Sequence, residues 1–174
     1  MKKLALICLV ALGTSAFTMI AEDWKKVNVT DKVTVEMPVE PVEINTNGAP
    51  QKVKKCTAAD STEMATILID FTAFGMTEEQ IEGLKDTEEF KEQLKMGMTQ
   101  GGGQILSESE GKYKDKYLYY QFEIKSEKDG KPSVSTNRMI FYKTYAITLG
   151  YKAGKNGENK ELRDKYFNSL TIAE

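Results

Sequence analysis

Tyr117-Leu118-Tyr119-Tyr120-Gln121-Phe122-Glu123-Ile124 sets Leu118, Tyr120, Phe122 and Ile124 against Tyr117, Tyr119, Gln121 and Glu123 in strict alternation. Successive side chains of an extended chain point to opposite faces, so a period of two predicts a strand with a core-facing side. Turn-like interruptions bracket it, Lys112-Tyr113-Lys114-Asp115 before and Glu127-Lys128-Asp129-Gly130-Lys131 after. The second holds the Asp-Gly pair favoured in tight hairpins. Val134, Met139 and Phe141, then Tyr145, Ile147, Leu149 and Tyr151, continue the pattern through two further strands. Gln104 to Ala153 therefore reads as a β-meander, whose short connections make its strands antiparallel neighbours.

Upstream, Met64 to Phe74 is the most apolar stretch after the N-terminal segment, with Ile67, Ile69 and Phe71 on one face and Leu68 on the other beside Asp70. That fits a strand near the centre of a sheet. After Gly75 the period changes. Thr77-Glu78-Glu79-Gln80 fits a capping box, and Asp86-Thr87-Glu88-Glu89 fits a second helix start with acidic residues in the first turn. Phe90, Leu94 and Met98 follow as one apolar stripe, giving a broken helical segment from about Thr77 to Thr99. Gly101-Gly102-Gly103 follows a helix and precedes a strand, the reverse of a phosphate cradle, and reads as a helix stop and connector.

Trp24 to Met37 reads as a hairpin around Thr30-Asp31-Lys32, Val42 and Ile44 as a short strand, and Gln51 to Ala59, with Lys52, Lys54 and Lys55, as an outer strand. Leu162, Tyr166 and Phe167 mark a last amphipathic helix with Glu161 and Lys165 as an i, i+4 pair, and Ser169 to Ile172 a closing strand. The expected class is α+β: an antiparallel sheet of about six to seven strands sandwiched by two or three helices.

The chain opens on Lys2-Lys3, an apolar stretch from Leu4 to Leu12, and Gly13-Thr14-Ser15-Ala16. That is the pattern of a secretory signal peptide over residues 1–21, with cleavage after Ala16 or Ala21 and a single domain over 22–174. An uncleaved N-terminal anchor in the inner membrane is the alternative. Cutting after Ala21 removes two of 24 basic residues and none of 26 acidic ones, leaving a net charge of −4. Without a Lys/Arg block the sequence argues against a nucleic-acid or anionic-membrane partner, and no membrane insertion is expected after signal cleavage. The chain has no His, which removes Ser-His-Asp and Cys-His pairs and His-containing zinc sites. No metal-ligand or cofactor motif appears. Cys8 falls inside the apolar signal stretch, so Cys56 has no disulfide partner in the mature domain.

Three stretches carry a family resemblance: Val33-Thr-Val-Glu-Met-Pro-Val-Glu-Pro41, the helix after Met64 to Phe74, and Arg163-Asp-Lys-Tyr-Phe-Asn-Ser-Leu170. In them the chain resembles the superfamily that joins the photosynthetic PsbP proteins, the Mog-type Ran-binding proteins and many small exported bacterial proteins of unknown function. The resemblance implies an antiparallel sheet between helices and a role as an accessory or partner-binding module, with no shared catalytic set.

Four features are candidate sites. Cys56 lies beside Lys54 and Lys55, cations that lower a thiol pKa, but without a second Cys in the mature domain or a His it is expected to be a small packed side chain. Asp70 interrupts the apolar strand, which a salt bridge or strand-end exposure explains. Paired carboxylates are the catalytic device that composition permits. Tyr117 and Tyr119, on the face away from Leu118 and Tyr120, are the candidate surface for a ligand or partner. The functional expectation is an exported, periplasmic or secreted non-enzymatic domain that binds an envelope protein or a small ligand and holds no cofactor. A carboxylate-based hydrolase is the alternative.

Overall fold

A computed structural model describes residues 23–173, apart from Gly101 and Asp129. The signal segment 1–21, its cleavage points after Ala16 and Ala21, and Cys8 lie outside the described residues. The chain forms β1 (Lys25–Asn28), β2 (Val33–Met37), β3 (Val42–Ile44), β4 (Gln51–Thr57), β5 (Glu63–Asp70), α1 (Glu78–Leu84), α2 (Glu88–Thr99), β6 (Gln104–Tyr113), β7 (Tyr117–Lys128), β8 (Lys131–Tyr142), β9 (Tyr145–Lys152), α3 (Lys160–Asn168) and β10 (Thr171–Ile172). A single 3₁₀ turn, Phe71–Phe74, follows β5.

The meander β6 to β9 is antiparallel throughout, and β5 adds to its β9 edge, giving a seven-stranded sheet in the order β3-β4-β5-β9-β8-β7-β6. The hairpin β1–β2 stays outside that sheet. It forms a separate three-stranded sheet with β10, which pairs Thr171 with Thr34 and Ile172 with Val33. This second layer is a finding beyond the sequence reading.

Both faces of the large sheet are core. On one, Met64, Leu68, Ile140, Ile147, Leu149 and Tyr151 pack under α3, the small sheet and the link between α3 and β10, which contribute Tyr166, Phe167, Val33, Val35, Met37 and Leu170. On the other, Tyr120, Phe122, Ile124, Met139 and Phe141 pack under α1 and α2, where Ile81 is buried and the stripe Phe90, Leu94 and Met98 lies against them. Sequence alternation suggested one core side to the meander. Because layers cover both sides, Tyr117 and Tyr119 are packed as well, in the same core as Ile147 and Leu149. Val134 corrects the expected pattern: it lies on the opposite side of β8 from Met139 and remains 38% exposed, in the half of the strand where burial is incomplete.

The helices start where their caps predict. The Thr77 hydroxyl accepts from the Gln80 amide while Gln80 accepts from the Thr77 amide, and Thr87 accepts from the Phe90 amide. The helix after Asn159 is capped by that side chain accepting from the Leu162 amide. Its Lys165 lies over the Trp24 ring, 4.1 Å from the centroid, so this cation joins α3 to the N-terminal end of the small sheet. Lys91 and Lys95 reach across from α2 to Glu110 and Glu108 of β6 at 2.9 and 3.0 Å.

Buried tyrosine hydroxyls fasten the layers. Tyr166 donates to the Ala65 carbonyl at 2.8 Å and lies 3.0 Å from the Thr66 hydroxyl. Tyr113 donates to the Leu170 carbonyl at 2.8 Å, and Tyr120 to the Lys85 carbonyl at 2.7 Å. Burial raises the pKa of all three phenols above the ordinary tyrosine value. A group whose folded pKa exceeds its unfolded one supports the fold fully below the unfolded value, and that support is lost as pH climbs through the folded value. Stability is therefore expected to fall as pH rises through about 10, the ordinary phenol range. Urea midpoints near neutrality and near pH ~10.5 test this; equal midpoints would refute it.

Candidate functional site

The structure separates the two candidate tyrosines. Tyr119 is half-buried on the α3 side, where the Arg138 guanidinium lies between its ring and that of Phe167 at centroid distances of 4.9 and 4.8 Å. Arg138 Nε also donates to Gln121 Oε1 at 2.9 Å, and burial lowers the pKa of this guanidinium. Tyr117 lies at the start of β7, its ring edge-on to Tyr142 with centroids 5.6 Å apart, and reaches a surface cleft.

Asp70 ends β5 and caps the 3₁₀ turn, accepting from the Thr72 amide at 3.0 Å and the Thr72 hydroxyl at 2.7 Å. Strand-end capping accounts for this carboxylate. After α2, the Gly102 amide donates to the Thr99 carbonyl and its φ is +84°, a backbone suited to glycine, so the glycine run stops the helix as read. An added Cβ at Gly103 would come within 2.8 Å of Ile124. Cys56 is 4% exposed, and burial is the main cause of its raised thiol pKa. The neighbouring lysines do not activate it, since Lys55 pairs with Glu63 and Lys54 donates to the Asn28 carbonyl. Native alkylation of Cys56 is expected to run about a hundredfold slower than in urea, the factor given by a local opening free energy of about 3 kcal/mol. Equal rates would refute the packing.

The cleft that Tyr117 reaches has a volume of about 530 Å³ and lies at the turn end of the large sheet. Four segments distant in sequence form it. The β1–β2 turn contributes Lys32, α1 and its C-cap contribute Glu78, Glu82 and Lys85, the β6–β7 turn contributes Lys116 and Tyr117, and the end of β8 contributes Phe141, Tyr142 and Lys143. Local conformation fixes these placements. Thr30 Oγ1 accepts from the Lys32 and Val33 amides, closing the first turn. Lys114, Asp115 and Lys143 adopt positive φ of 50°, 57° and 53°, as tight hairpins require.

The wall holds four lysines against two glutamates, a local excess of two positive charges. Glu82 is engaged by Lys85 Nζ at 2.6 Å, and this lysine is largely buried. Lys116 and Lys143 lie over the rings of Tyr117 and Tyr142 at 5.3 and 5.7 Å. Cations held above aromatic faces are presented as donors rather than left to sweep solvent. Both carboxylates stand on one wall, one turn of α1 apart, whereas glycosidic hydrolysis needs two that flank the scissile bond. Among the described residues no group of three or more Cys, Asp or Glu side chains could hold a metal, and no helix is long and apolar enough to cross a membrane.

A seven-stranded antiparallel sheet with helices on both faces is the PsbP-like fold, and comparison with known proteins bears out the resemblance. No family model and no curated protein matches the chain. Solved structures do. Cyanobacterial PsbP from Synechocystis is similar at 12% identity and a TM-score of 0.56, over 92% of this chain and 98% of that one. A protein of unknown function from Pseudomonas aeruginosa is similar at 7% identity and a TM-score of 0.50, over 87% of this chain and 98% of that one. A Bacteroides thetaiotaomicron protein is similar at 13% identity and a TM-score of 0.50, with 82% of this chain spanning 45% of that one.

Proposed function

We propose that the chain is an exported, non-catalytic accessory domain of the bacterial envelope that binds its partner through the lysine- and tyrosine-lined cleft. The observation that carries this reading is convergence: Lys32, Lys85, Lys116 and Lys143 come from four separate segments to one aromatic-floored depression. Export is supported by the basic and then apolar opening at Lys2 to Leu12. The PsbP-like fold supports an accessory role, since the superfamily supplies binding modules rather than a common active site. A hydrolase reading lacks support from the cleft, where the carboxylates share a wall and Lys85 already engages one.

The test is site-specific photocrosslinking in living cells. A crosslinker at position 143 is expected to give a discrete adduct in the envelope fraction. One at position 160, at the far end of the sheet, is expected to give none. No adduct from 143, or the same adduct from both positions, would overturn the reading.

A further inference from the structure

We infer that the occupant of the cleft is an acidic, extended segment of a partner protein; this rests on the reading of the chain as a binding module. The mature chain carries an expected net charge of −4, so its surface as a whole repels acidic molecules. The lining of the turn-end cleft departs from that balance, with four lysines against two glutamates. Lys32 and Lys143 are exposed on two different hairpin turns that border the same cleft, and Lys85 balances Glu82 within the wall. A partner rich in carboxylates is drawn to this lining.

The form of the cleft favours a peptide over a small anion. Sites for small ligands enclose them and fix their orientation with a few convergent polar groups. Here the cations stand on separate turns around an open trough, and among the described residues no buried side-chain N or O lacks a hydrogen-bond partner. Lysine is a point charge on a flexible stem, suited to carboxylates spaced along a chain rather than to bidentate capture of one anion. Tyr117 and Tyr142 give that chain an aromatic floor, and Glu78 discourages a carboxylate on the α1 wall.

The experiment titrates protein produced from the full 174-residue chain into a fluorescein-labelled dodecapeptide of alternating glutamate and alanine, read by anisotropy. A matching peptide with glutamine for glutamate is the control. The glutamate peptide is expected to bind and the glutamine peptide not, with affinity falling steeply between about 20 and 200 mM salt. The double variant Lys32→Glu/Lys143→Glu is expected to bind about tenfold more weakly or worse. The equally charged Lys155→Glu/Lys160→Glu, at the opposite end of the sheet, is expected to bind as the parent does. All four substituted lysines are exposed, and unchanged melting confirms that the variants fold.

Equal binding of the two peptides, equal weakening by both double variants, or complete displacement by millimolar inorganic phosphate would each overturn the proposal. A crosslink from position 143 in cells without binding of the glutamate peptide leaves the binding module standing and removes the acidic partner. Loss of both removes the two readings together.

Discussion

Phe167→Ala is expected to destabilise the domain by about 3–5 kcal/mol, a large share of the stability of a single domain. Phe167 is fully buried where α3 meets the large sheet, with its ring 5.7 Å from that of Tyr166. Removing it costs the transfer energy of the ring and leaves a cavity between two layers, neither of which can collapse far because the Tyr166 and Tyr113 hydroxyls hold them apart. A second cost adds to the first. The Phe167 ring forms one of the two faces around the Arg138 guanidinium, a cation already disfavoured by burial. Phe167→Leu keeps most of the volume and is expected to cost about 1.5 kcal/mol. Urea unfolding gives both values; a loss below about 1 kcal/mol for the alanine variant would mean that α3 does not depend on this ring for its docking.

Local signals made the elements legible. The Thr77 and Thr87 caps, the change of period after Gly75 and the alternation in Tyr117 to Ile124 depend on residues a few positions apart, and each is realised in the fold. Pairings between distant segments were not legible. β10 is two residues long and has no periodicity of its own, yet it completes the small sheet by pairing with β2. The alternation put Tyr117 and Tyr119 on one face but could not tell that Tyr117 meets Tyr142 at a cleft while Tyr119 lies under the Arg138 guanidinium. The cleft was hidden for the same reason. Lys32, Lys85, Lys116 and Lys143 lie far apart in the sequence, and only the fold brings them to the lining of one cleft.

On the other side of the sheet, Phe122→Ala is expected to cost about 3–5 kcal/mol and Leu94→Ala only about 1–2. The alternation and the helical stripe gave both residues to the core, but the structure ranks them. Phe122 is 3% exposed in the middle of β7, enclosed by Tyr120, Ile124, Met139 and Phe141 in the sheet and by the helices above. Leu94 lies on the helix that supplies that cover and is only half-buried, so its truncation opens toward solvent and leaves little closed cavity. The Lys91 and Lys95 bridges to Glu110 and Glu108 continue to hold α2 over β6 in the Leu94 variant. Pairs of this kind are screened by water, so they position the helix without replacing a buried ring. Thermal or urea unfolding of the two variants decides the matter. If Leu94→Ala proved the costlier, α2 rather than the strand would be the centre of this core, and the sheet could not be the rigid frame that sets the turn-end lysines around their cleft.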